Sequence, residues 1–395
     1  MATFYVPAVN LIGRGCVNEI GSYVKNLGYK KALLVTDDFI RTSNILPKVT
    51  KPLDEVGIDY VVFSKVDPNP TCKNVFDGLA VLQENDCDFI ISVGGGSPQD
   101  AASCISIMTT NGGKPQDYEG LHKSEKLGLP VVAINTTAGT SAEITINYVI
   151  TINYVITINY VITDEERKVK MVMVDKNSLA VMSVNDPELM LSKPAALTAA
   201  TGMDALTHAI EALVTPGAYG VTKKLSMGAI ELIKEYLPRA VENGQDIEAR
   251  EAMVHAIFLG GMSFNNAGLG YVHSMAHQLG AVYDLPHGVC CAMILPIIER
   301  ENAKRVPAAF RDVAKALGLD IAGKSDEECA DYAIAQIEEL SAKVGIPKKL
   351  TELDIKEEDF DFEYLSKNAL IDACAPGNPF MPTLDETISY YKELF

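Results

Sequence analysis

The chain has 395 residues, enough for two domains, and its 48% apolar and 22% charged residues are the balance of an ordinary globular protein. Its 52 acidic residues outnumber 34 basic ones and give a net charge of −18. That excess argues against nucleic acid or an anionic membrane surface as the main partner.

Cellular location is indicated by three features of the sequence. The N-terminus, MATFYVPAVNLIGRG, has no basic segment followed by an apolar one, so we expect no signal peptide. No apolar run reaches the length of about 18 residues that a membrane helix needs. The eight cysteines are scattered without CxxC spacing, which favours free thiols over a disulfide framework. Together these features predict a cytoplasmic location.

The first half of the chain alternates β-rich and helical patterns. Short Val/Ile-rich runs that end in turn residues lie at 30–38, 59–66, 87–96 and 129–139, and amphipathic stretches such as 74–85 lie between them. This alternation predicts a parallel sheet covered by helices. From Lys193 onward the segments are rich in Ala, Leu and Glu and read as helices. We therefore expect an α/β domain over residues 1–190 and an all-α domain over residues 191–395.

The ends of three predicted strands carry residues suited to a nucleotide. Asp37 closes the first run, where a carboxylate can bind ribose hydroxyls and repel a 2′-phosphate, or can cap the next helix. The third run enters GGGSPQD (94–100), in which Ser97 is expected to N-cap a helix and Pro98 to begin it. Such a turn predicts an anion site, although it is not a GxGxxG fingerprint. The fourth run ends in NTTAGT (135–140), which adds hydroxyls at the same edge.

Residues 145–162 read TINYVI three times in succession. The even period preserves the alternation of a strand, but a single strand of this length would span roughly 60 Å, too long for a compact domain. We expect a protruding or folded-back β-arm. Because the segment has no charge, Pro or Gly, it is also an aggregation hazard.

Two histidine patterns lie in the predicted helical half. Asp204 and His208 are four residues apart, as are His273 and His277, and His287 follows ten residues later. Residues at i and i+4 share one helix face, so each pair can point at a common centre. A carboxylate with several imidazoles suits Fe²⁺, Zn²⁺ or a similar divalent ion. These five side chains are therefore candidate metal ligands.

The chain resembles the iron-containing (group III) alcohol dehydrogenases, near the 1,3-propanediol dehydrogenases, lactaldehyde reductases and bacillus-type methanol dehydrogenases. The resemblance spans essentially the whole chain and is carried by GRG, VTD, DPNP, GGGSPQD, NTTAGTSAE, ATGMDALTHAIEA, FNNAGLGYVHSMAHQLG, LPHG and GNP. It implies an N-terminal α/β dinucleotide-binding domain and a C-terminal helical metal-binding domain, with the active site in the cleft between them.

The resemblance also assigns roles to residues. It makes Asp204, His208, His273 and His287 the metal ligands, and it makes His277 a non-ligand near the nicotinamide that relays a proton, or alternatively orients a ligand. The implied cofactor contacts are Asp37, Asn69, Gly95, Gly96, Ser97, Asp100, Thr136, Thr137, Thr140, Thr145 and Lys170. The implied substrate pocket contains Asn147, Phe264 and Cys374.

The sequence departs from the family at the repeat, because relatives have one TINYVI copy where this chain has three. The family's cofactor-contacting threonine is therefore Thr145 or Thr157, and its pocket asparagine is Asn147 or Asn159. We favour Thr145 and Asn147, since the adjoining NTTAGT loop should set the start of that strand.

The activity implied by the resemblance is reversible hydride transfer between small primary alcohols or diols and NAD at Fe²⁺, with Zn²⁺ or another divalent ion as the alternative metal. The expected partners are a small alcohol or aldehyde and further copies of the chain, as dimer or decamer. One alternative is a metal- and NAD-dependent lyase similar to 3-dehydroquinate synthase, but the segments around the histidines carry almost no Lys or Arg for a phosphorylated substrate. The other alternative is an assembly protein whose site the repeat disables.

Overall fold

The structure is a computed structural model that describes residues 2–68, 70–149, 163–164, 169–283 and 285–395. Residues 121, 147–149, 163–164, 169–170 and 172 are described by their backbone alone. The β-arm expected from the repeat lies outside the described residues from Ile150 to Ile162. The chain divides into two compact units between Ser192 and Lys193, called here the N-terminal and the C-terminal unit.

The N-terminal unit is built around a parallel sheet. Its strands are β1 (Val9–Ile12), β2 (Lys31–Val35), β3 (Asp59–Phe63), β4 (Phe89–Gly94), β5 (Gly120–Leu121), β6 (Val131–Asn135), β7 (Asn147–Val149), β8 (Thr163–Asp164), β9 (Val169–Lys170), β10 (Val172–Val174) and β11 (Met182–Asn185). Within the described residues, six of them form the main sheet in the order β1-β11-β6-β4-β2-β3, with every pairing parallel. Two small sheets, β5-β10-β7 and β8-β9, complete the strand pairing of the described part.

Helices cover both faces of the main sheet. They are α1 (Ile20–Asn26), α2 (Asp38–Thr42), α3 (Ile45–Val56), α4 (Cys72–Glu84) and α5 (Gly96–Asn111). Alternate strand residues enter separate cores: Leu33 packs in the cluster that holds α4 and α5, and Leu34 in the cluster that holds α1 and α3. Strands buried on both faces need continuous apolar runs, as β2, β4 and β6 have, whereas β3 lies at the edge of the sheet and is partly exposed. The predicted α/β fold is confirmed.

The C-terminal unit is helical, and the described residues after Lys193 contain no strand. Its helices are α6 (Ala195–Val214), α7 (Gly220–Glu242), α8 (Ile247–Ala267), α9 (Tyr271–Tyr283), α10 (His287–Arg305), α11 (Pro307–Ala316), α12 (Asp326–Lys343), α13 (Phe362–Leu370) and α14 (Leu384–Lys392). Helix α6 packs against α7, α8 and α10. It is buried at nearly every position from Thr198 to Val214, so its polar side chains lie inside the unit.

Two expectations about the chain as a whole can be compared with the structure. All eight cysteines lie in the described part and are free thiols, as their spacing predicted. Across the described residues, none of the helices combines the length and the apolar character that crossing a membrane requires.

Candidate metal centre and cofactor loops

Three helices of the C-terminal unit carry the predicted metal ligands. Asp204 and His208 lie one turn apart on α6, His273 lies on α9, and His287 is the first residue of α10. Asp204 Oδ1 is 3.4 Å from His287 Nε2 and 3.8 Å from His273 Nε2. The ring of His208 stacks on that of His273 with 4.6 Å between centroids. The structure thus brings the four side chains into one cluster, which we call the ligand cluster.

The polar atoms of the ligand cluster suit a divalent ion. Asp204 Oδ1, His208 Nδ1 and His273 Nε2 are buried and have no hydrogen-bond partner among the described residues. Such atoms destabilise a fold unless something binds them, and a cation between Asp204 Oδ1 and His273 Nε2, which are 3.8 Å apart, can satisfy both. Burial, together with His273 and His287, lowers the pKa of His208 well below its usual value, so its imidazole is neutral, as a metal ligand must be. The residues therefore fit the ion.

The surroundings of Asp204 also change the pKa of its carboxyl group. Burial raises its pKa to about 6, against the opposing effect of His273 nearby. A cation beside this carboxylate stabilises the ionised form and offsets the cost of burial. Binding of an ion to the cluster is therefore expected to stabilise the ionised form of Asp204.

Cys291 belongs to the same cluster, and the sequence interpretation overlooked it. Its Sγ and one ligand atom each of Asp204, His273 and His287 all lie within 4.8 Å of one another. Sγ is 3.5 Å from His287 Nε2. His208 is not in that group of atoms, although its ring contacts His273. The signal was present, because Cys291 follows His287 by four residues on one helix.

Glu211 orients His273 and was also overlooked. Its buried carboxylate accepts a hydrogen bond from Val272 N at 2.8 Å and contacts His273 Nδ1. Because Glu211 engages Nδ1, Nε2 is the nitrogen of His273 that faces the ligand cluster. A carboxylate behind a histidine ligand sets the orientation of the ring. The signal in the sequence is THAIEA, which places Glu211 three residues after His208.

His277 is held by a different carboxylate. Its Nδ1 lies 2.8 Å from Asp372 Oδ2, and Asp372 Oδ1 accepts a hydrogen bond from Cys374 N at 2.8 Å. The His277 ring stacks near that of His287, with 5.4 Å between centroids. His277 therefore borders the ligand cluster while its Nδ1 is engaged by Asp372. No local pattern in the sequence pointed to Asp372.

Two predicted pocket residues border this region. The ring of Phe264, on α8, stacks on His208 with 4.4 Å between centroids. Cys374 is buried, and its Sγ groups with ligand atoms of His277 and Asp372 within 4.8 Å. The third, Asn147, lies in β7 and is described by its backbone alone. Its alternative Asn159 and the alternative threonine, Thr157, lie outside the described residues.

In the N-terminal unit, the predicted cofactor residues gather where neighbouring strands end. Strands β2, β4 and β6 are adjacent and parallel, so their carboxyl ends lie at one edge of the sheet. Asp37 follows β2, Gly95 follows β4 and Thr136 follows β6. Open α/β sheets bind their ligands at such an edge. Asp37 does cap α2, accepting a hydrogen bond from Ile40 N at 2.7 Å, and this uses one of its two oxygens.

The glycine loop after β4 is packed against the loop after β6. A Cβ at Gly95 would lie 2.7 Å from Thr137 Cγ2, so a side chain there would force the two loops apart. The prediction that Ser97 caps the helix and Pro98 begins it is wrong, because α5 begins at Gly96 with Gly95 as its N-cap residue. Ser97 Oγ instead donates a hydrogen bond to the Pro68 carbonyl oxygen at 2.5 Å. The helix N-terminus still offers backbone N–H groups to an anion.

The remaining predicted cofactor residues lie around these loops. A Cβ on Gly96 would lie 3.5 Å from Thr140 and 3.9 Å from Asp100, which places the three together. Thr145 is buried beyond a short 3-10 turn. Lys170 lies in β9 and is described by its backbone alone, and Asn69 lies outside the described residues.

Asn135 shapes the second loop and was not singled out in the sequence. Its Oδ1 accepts a hydrogen bond from Thr137 N at 2.9 Å, and its Nδ2 donates to Asn185 Oδ1 at 3.0 Å. The amide therefore ties the threonine loop to the end of β11. An Asn that bonds the backbone two residues ahead is a recurrent turn signal, and it was available in NTT.

Comparison with known proteins identifies the family. The iron-containing alcohol dehydrogenase profile matches residues 7–187, and the C-terminal profile of Fe-containing alcohol dehydrogenases matches residues 198–395. The chain is 43% identical over 392 residues to the NAD-dependent methanol dehydrogenase of Bacillus methanolicus, covering 99% of each chain. It is 44% identical over 397 residues to the 1,3-propanediol dehydrogenase of Klebsiella pneumoniae, covering 100% of this chain and 99% of that one.

A solved structure of 1,3-propanediol oxidoreductase superposes on the whole chain with a TM-score of 0.94 and 44% identity, and all of that chain is covered. The chain belongs to the iron-containing alcohol dehydrogenase family. It is therefore an oxidoreductase of the alcohol dehydrogenase class, and the predicted NAD and Fe²⁺ are the cofactors that this family uses. Neither the lyase nor the assembly interpretation has support in these comparisons.

Proposed function

We propose that the chain interconverts small primary alcohols or diols and aldehydes by hydride transfer to and from NAD, at a divalent ion held by Asp204, His208, His273 and His287. The observation that carries the proposal is the ligand cluster, in which buried atoms of Asp204, His208 and His273 lack a protein partner among the described residues. The ion is Fe²⁺, with Zn²⁺ or another divalent ion as the alternative.

The bound ion would supply Lewis acidity to the alcohol or aldehyde oxygen. The protein's part is to hold the ligands before the ion arrives. Asp204 and His208 share one face of α6, and Glu211 holds Nδ1 of His273 so that Nε2 faces the cluster. Ligands set in advance lose little conformational entropy on binding, which favours a well-defined substrate position.

His277 is proposed to move the proton that alcohol oxidation releases. Its Nδ1 is engaged by Asp372, so we assign the uptake and return of the proton to Nε2. Burial raises the pKa of Asp372 well above its usual value, and its contact with Nδ1 holds the ring in place while Nε2 exchanges the proton. Proton transfer is thus assigned to His277, and ion binding to the ligand cluster.

The carboxyl edge of β2, β4 and β6 is proposed to bind NAD. The backbone N–H groups at Gly95, Gly96 and Ser97, with the edge of α5 at Asp100, would bind the pyrophosphate. Thr136, Thr137, Thr140 and Thr145 would line the nicotinamide side of the cofactor, and Lys170 a ribose. Asp37 and Asn69 would contact the adenosine, and the negative charge of Asp37 would disfavour NADP.

The substrate is proposed to be small and uncharged. Phe264 stacks directly on His208, and the buried thiol of Cys374 lies beside His277, so both predicted pocket residues that border the histidines are uncharged. The relatives at 43% and 44% identity are named for methanol and 1,3-propanediol, which are such molecules. Asn147, favoured over Asn159, would add a polar contact to this pocket.

A cytoplasmic location and a homo-oligomer complete the proposal. Eight free cysteines suit a reducing compartment, which also keeps iron ferrous. The family resemblance supports a dimer or a decamer. Fractionation of the source cells and light scattering of the purified chain measure these two properties directly.

The decisive experiment combines metal analysis with an alcohol panel. His273→Ala, purified anaerobically, is expected to lose its iron and to lower turnover of alcohols with NAD by about 10³-fold or more, because Lewis-acid assistance supplies several kcal/mol. NAD binding, followed by calorimetry, should remain, because the proposed cofactor residues lie in the other unit.

The matched control is His255→Ala, which removes an exposed histidine on α8 and should change neither metal content nor turnover. Full iron content in His273→Ala would overturn the ligand assignment. Wild-type protein loaded with iron that oxidises no alcohol in the panel would overturn the proposed substrate class.

A further inference from the structure

The thiol of Cys291 sits where a ligand to the ion would sit. It lies one helical turn after His287 on α10 and is fully buried. Its Sγ is the fourth member of the group of atoms formed with Asp204, His273 and His287, none of which is more than 4.8 Å from another. Donor atoms about 2.0–2.3 Å from a common centre lie at most about 4.6 Å apart, so a group this compact needs little adjustment to surround one ion.

Two observations distinguish the Cys291 thiol from that of an ordinary core cysteine. Cys290 is its chain neighbour and is equally buried, yet it has no place in the group of ligand atoms. The buried Oδ1 of Asp204 and Nε2 of His273 point into the same space and lack hydrogen-bond partners in the described residues. The Sγ atom of Cys291 therefore lies beside buried polar atoms that a bound cation would satisfy.

We propose that Cys291 Sγ is a further donor to the ion in the ligand cluster, giving the centre a mixed oxygen, nitrogen and sulfur set. This inference rests on the proposed function, since it concerns the same ion. A thiolate is a soft ligand and favours Zn²⁺ or Co²⁺ over Fe²⁺ more strongly than carboxylate and imidazole do. Cys291 therefore sets which metal the chain retains.

The chemistry of the step is simple and involves no redox change. The sulfur donates an electron pair to the ion as the S–H bond breaks, and the proton leaves to the buffer. One proton is thus released for each ion bound through Cys291. The number of protons released per bound ion should therefore fall by one when the thiol is removed.

The test uses the full-length chain, purified anaerobically, depleted of metal with a chelator and reloaded with Co²⁺. The wild type is expected to show a thiolate-to-cobalt charge-transfer band in the near ultraviolet beside the visible ligand-field bands. Cys291→Ser and Cys291→Ala should keep the ligand-field bands and lose the charge-transfer band. Cys290→Ala, the matched control on the same helix turn, should keep both.

A second readout is metal affinity by competition with a chromophoric chelator. Cys291→Ala is expected to bind Zn²⁺ about 10- to 100-fold more weakly, the range typical for loss of a supporting group at a metal centre, and Fe²⁺ with a smaller loss. Cys291→Ser has nearly the size of the native residue and decides the matter if the alanine variant fails to fold by circular dichroism.

The outcomes separate the two proposals. A charge-transfer band of wild-type intensity in Cys291→Ser, or a wild type that binds Co²⁺ without the band, overturns the role of Cys291 and leaves the four-ligand proposal standing. A wild type that binds no Co²⁺, Zn²⁺ or Fe²⁺ overturns the proposed function itself.

Discussion

The ligand cluster of the C-terminal unit and the cofactor edge of the N-terminal unit are built in opposite ways. The cluster consists of side chains on helices, of which Asp204, His208 and His273 are buried, and His273 is supported by the buried carboxylate of Glu211. The cofactor edge consists of loops at strand ends, where we propose that backbone groups and the side chains of these loops bind NAD. A helix sets the spacing of its side chains in the sequence, whereas a sheet edge is assembled only when the strands pair.

This contrast predicts how the two regions respond to substitution. Removing one member of the ligand cluster leaves the others buried and unsatisfied, so the effects should be large and coupled. A change at the sheet edge should alter selectivity while the fold remains. The following predictions test this difference, beginning with the largest expected effect.

Glu211→Gln should lower the affinity for Fe²⁺ about 10- to 100-fold, because a neutral amide no longer supports His273 as the carboxylate does. The measurement is iron content and competition with a chelator after anaerobic purification. Glu338→Gln removes an exposed carboxylate that pairs with Arg300 and serves as the control for the loss of one charge. Unchanged iron affinity in Glu211→Gln would contradict this contrast between the two units, because it would mean that the ligand cluster does not depend on the contact of Glu211 with His273.

Asp37→Gly should relax the preference for NAD over NADP, because it removes the charge that repels a 2′-phosphate. The expected change in the ratio of kcat/KM values is about tenfold, which corresponds to about 1.4 kcal/mol of lost discrimination. Glycine is tolerated as an N-cap at a loss of only a few tenths of a kcal/mol, so α2 should persist.

Asp37→Asn is the matched control, because it keeps the cap to Ile40 N while it removes the charge. If the charge acts on the cofactor, both variants should accept NADP better than the wild type. An NAD to NADP ratio that stays at the wild-type value in both would count against any contact between Asp37 and the ribose.

The smallest effect concerns stability. Burial, with the negative charge of Glu211 nearby, raises the pKa of Glu299 from 4.5 to about 8. Between these values the folded chain holds a proton that the unfolded chain has lost, so the free energy of unfolding falls as the pH rises. Glu299→Gln should flatten that dependence, as measured by urea unfolding of the metal-free protein across this range. If the free energy of unfolding changes with pH equally in the wild type and in Glu299→Gln, Glu299 is not the source of this pH dependence.

Glu143 offers the same test in the N-terminal unit. Burial raises its pKa to about 7, so Glu143→Gln should flatten the curve over a narrower range, ending one unit lower than for Glu299. If the two substitutions instead act over the same range, the negative charge of Glu211 does not account for the higher pKa of Glu299.

Most of the fold was predictable because local patterns agreed with it. The Val/Ile-rich runs became parallel strands, and the spaced histidines of α6 and α9 lie on buried helices. The N-cap of α5 was assigned wrongly, since a serine before a proline is a strong local signal for a cap. The position of Ser97 was decided by a distant partner, the Pro68 carbonyl oxygen.

Residues that support the site were harder to find than residues that form it. Glu211 and Cys291 repeat the helical spacing of their neighbours and could have been included. Asp372 lies 95 residues after His277, and nothing near it in the sequence indicates that the two side chains meet. The choice between Asp37 as a helix cap and as a ribose ligand also stayed open, because both need the same carboxylate at the same place.

The sequence by itself determined the class of fold, the two histidine-bearing helices and the family, because periodicity and motif spacing are local properties of the chain. Tertiary structure decided which carboxylate stands behind which histidine, that Cys291 rather than Cys290 joins the ligand cluster, and that Thr137 packs against Gly95. The physical reason is that these contacts join segments distant in the chain or depend on how a helix is rotated, and both are set by packing.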